Sequence, residues 1–177
     1  MRVVTWNINS VRLRIKSVRR VVKKLNPDIL CLQETKCLKE DFPFKDFKRM
    51  GFLQTEAYGI KGYNGVSISS KIPIVSFNKT IFCNKDDARH INIELLYQKK
   101  KINIHNFYIP AGGDEPNPKI NEKFKHKLQF LDEATKYFSN KDNADSDLTV
   151  VVGDLNIAPH EMGCLVAYTI KKCGKPH

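Results

Sequence analysis

The stretch TVVVGDLNIA, residues 149–158, is the strongest indication of how this chain folds. Its first four residues are β-branched and predict a strand, Thr149–Val152, that is buried on both faces. Gly153 permits a turn or a close backbone approach that a side chain would obstruct. Asp154 and Asn156 follow at once, and metal or phosphate chemistry favours polar groups fixed in this way. The alternative is an Asp-x-Asn turn that caps the next segment.

The composition indicates one globular domain with a strong positive charge. At 177 residues the chain can bury one core, and two domains would be hard to accommodate. Lys and Arg number 30 against 19 Asp and Glu, a formal charge of +11. This excess favours a polyanionic partner, with nucleic acid ahead of an anionic membrane surface or solubility alone.

The cysteines and the apolar runs bear on location. Five cysteines without a Cys-x-x-Cys pair are typical of a reducing compartment, and Cys31 fits a core position. No signal sequence or membrane-spanning run is recognisable. The sequence therefore predicts a cytoplasmic protein without membrane attachment. Four residues near the end have zinc-ligand types, but their order and spacing match no common zinc finger, so a basic tail is favoured: His160, Cys164, Cys173 and His177.

Strand and helix patterns alternate along the chain. Residues 2–8 predict a strand, Ser10 caps a helix that ends at Asn26-Pro27, and residues 28–33 predict a buried strand, which makes a β-α-β beginning. The apolar face of that helix comprises Val11, Ile15, Val18, Val22 and Leu25. The later predictions are a short helix at 42–50, a turn at 62–65, strands at 65–69, 72–77, 91–96 and 102–108, a hairpin turn at 98–101, a loop at 110–118, a helix with Phe124, Leu128, Leu131, Thr135 and Phe138 on one face, and a polar turn at 139–147.

Polar residues stand at the carboxyl ends of four predicted strands. Asn7, Glu34 and Tyr108 end three of them, and Asp154 with Asn156 ends the fourth. Adjacent strands would bring these ends onto one rim. Carboxylates with water are the ligands that Mg²⁺ or Mn²⁺ prefers, and amides and a phenol can donate to phosphate oxygens. The set predicts metal-assisted hydrolysis of a phosphodiester. His90 and His105 fit structural positions within strands.

Five motifs, in this order, resemble the exonuclease III branch of the endonuclease/exonuclease/phosphatase superfamily, from residue 1 to about residue 160. They are WNINSVR (6–12), LQETK (32–36), YNGVSISS (63–70), YIPAG (108–112) and GDLNIAP (153–159). The resemblance implies a four-layer α/β sandwich of the deoxyribonuclease I-like type, with two packed sheets and outer helices. It also implies a monomeric, Mg²⁺-dependent enzyme that cuts double-stranded DNA at abasic sites and trims 3′ ends.

Residue by residue, the resemblance implies a role for each site position. Glu34 is the principal metal ligand, and Asn7 lies beside it and orients the metal or the phosphate. Tyr108 contacts the scissile phosphate or the leaving group. Asp154 belongs to the metal site and positions or deprotonates the attacking water, while Asn156 steadies the developing negative charge. Arg89 matches a basic position that contacts the DNA strand.

The resemblance is not carried by the last residues. We expect a truncated family domain over residues 1–161 and an unrelated tail over residues 162–177, without the late Asp and the closing Ser-Asp-His of the family. Activity should therefore be reduced or lost. Two other functions remain open: a non-catalytic basic remnant that binds nucleic acid, and a phosphoesterase acting on lipid or inositol phosphates.

Overall fold

Two four-stranded sheets form the centre of the computed structural model, which describes residues 1–140 and 146–157. The strand order is β1-β2-β4-β3 in the first sheet and β5-β6-β7-β8 in the second. The elements are β1 (Val3–Asn7), α1 (Ile15–Leu25), β2 (Ile29–Gln33), α2 (Phe44–Arg49), β3 (Gln54–Ile60), β4 (Tyr63–Ser70), β5 (Ile74–Asn78), β6 (His90–Tyr97), β7 (Lys100–Tyr108), α3 (Glu122–Ser139) and β8 (Leu148–Asp154).

The expected four-layer sandwich is confirmed by the way the layers pack. Ile29, Cys31 and Ile68 of the first sheet share one apolar cluster with Ile93 and Ile104 of the second sheet. Alternate residues of each strand point to opposite faces, so the outer face of each sheet is free to bury a helix. The first sheet packs against α1 and α2, and the second packs against α3. No helix among the described residues is both long enough and apolar enough to cross a membrane.

Parallel pairs at one side of the sandwich set the position of the predicted rim. β1 pairs with β2 in parallel, and β7 pairs with β8 in parallel. Because parallel strands end at the same edge, Asn7 and Tyr108 finish beside the ends of their neighbours. The β-α-β beginning and the hairpin between β6 and β7 are confirmed. Strand β3 was not predicted, because its mixed polar and apolar residues have no clear period.

The first helix differs from its prediction. Ser10 does not cap it, since α1 begins at Ile15 after a turn. The backbone N–H groups of Ser10 and Val11 instead donate to the carbonyls of Glu34 and Thr35, at 2.7 and 3.2 Å. This bonding extends the β1–β2 contact by several residues and delays the helix. The predicted stop is correct, because Asn26 adopts a left-handed conformation that closes α1.

The prediction that Thr149–Val152 is buried on both faces is wrong. Within the described residues β8 lies at the edge of its sheet, and the side chain of Val151 is 48% exposed. The reason is that only β7 pairs with β8 in this part of the chain, so the β-branched run indicates a strand without indicating its neighbours. Gly153 behaves as predicted: its φ is +142°, and a Cβ there would lie 2.0 Å from the carbonyl oxygen of Phe107.

The two remaining helix and turn predictions need adjustment. In α3 the buried residue is Phe130, packed with Leu131, Ala134 and Tyr137, whereas Leu128 is exposed. The apolar face is therefore rotated about the helix axis from the predicted one, because Phe130 packs against Phe82 and Phe107. The predicted turn at 62–65 lies at residues 61–62. The domain boundary at residue 161, the tail and the four zinc-type residues fall outside the described residues.

Candidate active site

The polar residues predicted for the rim come together at the ends of four strands. Asn7, Tyr108 and Asp154 are the last residues of β1, β7 and β8, and Glu34 follows β2. The Asn7 amide Nδ2 donates to Glu34 Oε1 at 2.8 Å and to Asp154 Oδ2 at 2.7 Å. The Tyr108 hydroxyl donates to Glu34 Oε1 at 3.0 Å. One amide thus joins two carboxylates that come from different sheets.

Glu34 is held as an ionised carboxylate. Burial alone raises the pKa of its carboxyl, but hydrogen bonds from Asn7, Lys36 and Tyr108 outweigh burial and lower that pKa below its ordinary value. Lys36 pairs with Glu34 Oε2 at 2.9 Å and also donates to Asn9 Oδ1 at 2.6 Å. Lys36 belongs to the LQETK motif, but no sequence pattern indicates that its ammonium pairs with the glutamate two residues earlier.

Tyr108 is held as a neutral phenol. Burial and then the bond to Glu34 raise the pKa of its hydroxyl well above the ordinary value. The Arg89 guanidinium carbon lies 5.0 Å from the centre of the Tyr108 ring, and Arg89 Nη1 donates to the Tyr108 carbonyl at 3.2 Å. Asp87 in turn accepts from Arg89 Nε at 2.5 Å. Arg89 is only 8% exposed, so its position beneath Tyr108 is fixed by Asp87, which the sequence analysis did not single out.

Asp154 and Asn156 form both the Asp-x-Asn turn and part of the polar rim, the two interpretations that their spacing allowed. The Asn156 backbone N–H donates to Asp154 Oδ1 at 3.1 Å, which is the Asp-x-Asn turn, and the Asp154 carboxylate also belongs to the rim. The Asn156 side chain donates to the Ile109 carbonyl at 2.8 Å. Lys127 of α3 donates to the Asn156 carbonyl at 2.6 Å and to the Ala111 carbonyl at 3.4 Å. Lys127 therefore ties the segment after β8 to the loop after β7.

A buried polar contact joins the two sheets next to the rim. Gln33 Nε2 donates to Asn106 Oδ1 at 2.7 Å, and Asn106 Nδ2 donates to the carbonyls of Leu32 and Ser67 at 3.0 and 2.9 Å. Both amide side chains are almost wholly buried. Each precedes a rim position closely, Gln33 before Glu34 and Asn106 before Tyr108. This contact could not be predicted from the sequence, because a single amide residue in an apolar strand forms no periodic pattern.

The donor chemistry of the rim fits a hard divalent cation. Glu34 and Asp154 offer carboxylate oxygens, each with lone pairs beyond those that accept the bonds described. Mg²⁺ is commonly held by one or two carboxylates with the remaining positions left to water and phosphate. No cluster of three His, Cys, Asp or Glu occurs in residues 1–140 and 146–157, so the described residues fit a water-rich site rather than a closed cage. Asn7 presents its nitrogen to the carboxylates and therefore orients them.

The predicted structural histidines lie away from the rim. His90 and His105 are buried on the outer face of the second sheet, with His90 Nε2 and His105 Nδ1 3.0 Å apart. Phe82 and Phe107 pack against His90. This buried placement agrees with the prediction that both are structural residues, although His90 Nδ1 has no hydrogen-bond partner in residues 1–140 and 146–157.

The protein is a basic α/β sandwich with carboxylates, a phenol and amides at its strand ends. These groups are typical of hydrolases that act on phosphate esters. The chain belongs to the Endonuclease/Exonuclease/phosphatase family, whose family model matches residues 4–173. This match passes residue 161, and the boundary proposed there stays a prediction.

Among curated proteins, the chain is 27% identical over 164 residues to exodeoxyribonuclease III of Haemophilus influenzae, covering 92% of this chain and 60% of the relative. It is 28% identical over 177 residues to the DNA-(apurinic or apyrimidinic site) endonuclease of Dictyostelium discoideum, covering 97% of this chain and 46% of that protein. The chain thus spans about half to three fifths of the length of these relatives.

Solved structures agree with the fold. An AP endonuclease from Archaeoglobus fulgidus superposes with a TM-score of 0.78 at 34% identity, over 90% of this chain and 59% of that one. A 3′-5′ exonuclease from Neisseria meningitidis superposes with a TM-score of 0.82 at 28% identity, over 96% of this chain and 63% of that one. The expected family and fold are therefore confirmed, and the enzymes of the family are hydrolytic nucleases and phosphatases.

Proposed function

We propose that the rim is the divalent-metal site of a DNA repair nuclease of exonuclease III type, with abasic-site endonuclease and 3′-5′ exodeoxyribonuclease chemistry. The observation that carries this proposal is the single amide of Asn7 shared between Glu34 and Asp154, with Tyr108 bonded to the same glutamate. Two carboxylates held this close repel each other, so a divalent cation is favoured there. Mg²⁺ is the cation proposed, with Mn²⁺ as a substitute.

Each rim residue has a separate task in this proposal. Bound Mg²⁺ would act as a Lewis acid on a phosphate oxygen. Glu34 supplies the main anionic ligand, and its lowered pKa keeps it ionised. Asn7 sets the direction of Glu34 and Asp154. Tyr108 keeps its proton and can donate it in a hydrogen bond to the phosphate or the leaving oxygen.

The carboxyl end of β8 handles the water. Asp154 accepts a hydrogen bond from the attacking water and receives its proton as the new phosphorus–oxygen bond forms. The phosphorus–oxygen bond to the leaving group breaks, and the leaving oxygen takes up a proton from solvent. Asn156 uses one amide hydrogen on the Ile109 carbonyl, which leaves a second hydrogen for a developing negative charge. Lys127 fixes the segment that carries both residues.

Double-stranded DNA is the proposed substrate because the net charge of the chain and the substrates of similar proteins both favour it. The formal charge of +11 suits a polyanion. One of the similar solved structures is described as a 3′ phosphatase from Neisseria bound to a product DNA hairpin, with 28% identity to this chain. This weighs against the alternative of lipid or inositol phosphates. Monomeric state and cytoplasmic location remain predictions.

We expect slow turnover from the described residues. Within residues 1–140 and 146–157, the groups that hydrogen-bond or pair with the Glu34 and Asp154 carboxylates include no histidine, and a carboxylate next to a cation is a weak base. A chain that binds DNA without cutting it would correspond to the non-catalytic alternative.

A metal titration tests the site independently of turnover. Mg²⁺ or Mn²⁺ should perturb the backbone signals of residues near Glu34 in the wild-type protein and should leave Glu34→Gln unaffected. Glu94→Gln, a substitution in the middle of β6, is the matched control and should respond like wild type. Equal responses from wild type and Glu34→Gln would remove the metal site from the proposal.

A cleavage assay tests the chemistry. An abasic-site duplex with Mg²⁺ should be cut slowly or not at all, and any cutting should disappear in Asp154→Asn. Robust cleavage that depends on Asp154 would contradict the expectation of slow turnover. Cleavage that persists in Asp154→Asn would contradict the role of that residue. Binding of intact duplex should weaken steeply as salt rises, because Lys and Arg release counterions from phosphates.

A further inference from the structure

A cleft of about 420 Å³ lies beside the rim and shares Tyr108 with it. The loop before β6 forms one wall, and the first half of α3 forms another. The loop after β7 closes the cleft with Ala111, Gly112 and Gly113, which contribute almost no side-chain volume. The chemistry-bearing residues of the lining are Lys85, Arg89, Glu122, Lys123 and His126.

Positive charge in the cleft exceeds the negative charge that could balance it. The ammonium groups of Lys85 and Lys123 form no hydrogen bond or ion pair with the part of the chain that the structure describes. Glu122 is 84% exposed at its side chain and pairs with Lys125, outside the lining. Asp87, the acid behind the lining, is already bonded to Arg89 at 2.5 Å. Lys85 and Lys123 therefore line the cleft without an ion pair to a carboxylate in the described residues.

His126 adds a buried nitrogen that lacks a partner. Within residues 1–140 and 146–157, its Nε2 is buried and forms no hydrogen bond. Asp87 Oδ2 is 3.8 Å away, which is too long for a hydrogen bond, and the His126 side chain is 20% exposed. A buried polar atom without a partner costs free energy, which a ligand atom could recover.

The surroundings of His126 favour its neutral form. Burial lowers the pKa of its imidazole, and the charge of Lys85 lowers it further, with Arg89 acting in the same direction and Asp87 opposing. Cys83 packs behind it through a contact to the His126 carbonyl. An anion in the cleft would reverse the balance, since it would attract a second proton to the ring.

We propose that His126, Lys85 and Lys123 form a second anion subsite, which binds a neighbouring phosphodiester of the nucleic-acid strand and takes up a proton at His126 as it does so. The assignment to a strand rests on the proposed function, because it assumes that the scissile phosphate lies at the rim. The shared wall of Tyr108 places the subsite directly next to that phosphate. Lysines and an imidazolium are suited to phosphate oxygens as point charges and hydrogen-bond donors.

Proton uptake makes anion affinity depend on pH. Because binding and protonation are linked, an anion that raises the pKa of His126 must bind more tightly as pH falls, by up to roughly tenfold per pH unit. The proton comes from solvent and remains on the imidazole while the anion is bound. Sulfate is a suitable probe, since its double charge does not change in the range where histidine titrates.

The experiment follows the histidine signals of the full chain by NMR, with metal removed by chelation, as pH is varied with and without sulfate. His126→Gln assigns the signal. Sulfate should raise the pKa of His126, and its affinity should increase at lower pH. Lys85→Gln and Lys123→Gln should weaken sulfate binding severalfold. Lys125→Gln is the matched control on the same helix, with its ammonium outside the cleft, and should bind sulfate like wild type.

Three results would overturn the proposal. The first is a His126 titration that sulfate does not change. The second is a loss of affinity in Lys125→Gln equal to that in Lys85→Gln, which would indicate a general basic surface. The third, failure of duplex DNA to displace sulfate, would remove the assignment to a nucleic-acid strand.

Glu34→Gln separates this proposal from the proposed function. It should lose the metal response and keep the sulfate response, so a Glu34→Gln protein that still responds to metal like wild type, with an intact sulfate titration, would refute the metal site alone.

Discussion

Acidification should unfold this protein through the buried pair His90 and His105. Burial, with a contribution from the positive charge of His105, lowers the pKa of His90 to about 3, and burial lowers the pKa of His105 to about 4. An unfolded histidine has a pKa of about 6.5. The unfolded chain therefore binds more protons below that value, and stability is full above pH 6.5 and lost as pH falls toward the folded pKa values.

The size of the effect follows from the same values. Between about pH 8 and about pH 5 each histidine removes about 2 kcal/mol from the free energy of unfolding, or about 4 kcal/mol for the pair. Since a domain of this size is stabilised by about 5–15 kcal/mol, the loss is large. Charging the pair also breaks the contact between His90 Nε2 and His105 Nδ1, because two imidazolium rings both donate and cannot accept.

Urea unfolding measured at several pH values checks this reasoning. Below pH 6.5, the free energy of unfolding should fall as the pH falls. These two residues should contribute a slope close to that of two protons bound only by the unfolded chain. His105→Gln removes one titrating group, so its slope should be shallower by about 1.4 kcal/mol per pH unit. A pH dependence identical in the two proteins would refute the argument that buried neutral histidines cause the acid instability.

Three substitutions test contacts near the rim. Lys127→Met should speed amide hydrogen exchange at Asp154–Asn156 by about tenfold or more, since it removes a charged donor, and Lys125→Met should leave that exchange unchanged. Asn106→Leu should lower the free energy of unfolding by about 3 kcal/mol in urea melts, because buried groups of Gln33, Leu32 and Ser67 lose their partner; an unchanged midpoint would contradict this. Gly153→Ala should cost about 3 kcal/mol or more, because its Cβ would meet the Phe107 carbonyl, and a calorimetric melting temperature equal to wild type would show that the strands can separate without cost.

Much of the fold could be predicted because its signals are local. Asn26 ended α1 where the sequence indicated, since a left-handed residue before proline stops a helix. The hairpin between β6 and β7 turns at Gln98 and Lys99, within the predicted polar turn. The start of α1 was misplaced for the opposite reason. Hydrogen bonds from Ser10 and Val11 to the chain after β2 hold that segment extended, and no local pattern reveals them.

The candidate site divides in the same way. Strand ends can be predicted from β-branched runs, so Asn7, Glu34, Tyr108 and Asp154 were expected on one rim, where the structure places them. Their supporting residues were not predicted. Lys36 and Asp87 contact partners two residues away, Glu34 and Arg89, and Lys127 contacts the carbonyls of two separate loops. Such contacts depend on side-chain direction as much as on sequence position.

The sequence by itself determined the family motifs, the position of most strands and the residues at their ends, because each depends on residue type within a few positions. Only the tertiary structure decided that Asn7 bridges two carboxylates across the sheets and that Gln33 and Asn106 meet in the core. It also decided that His126, with a nitrogen that has no hydrogen-bond partner in residues 1–140 and 146–157, lies in one cleft with Lys85 of the loop before β6. These features join residues far apart in the chain. Their geometry is set by how two sheets and α3 pack, which no local pattern of residues encodes.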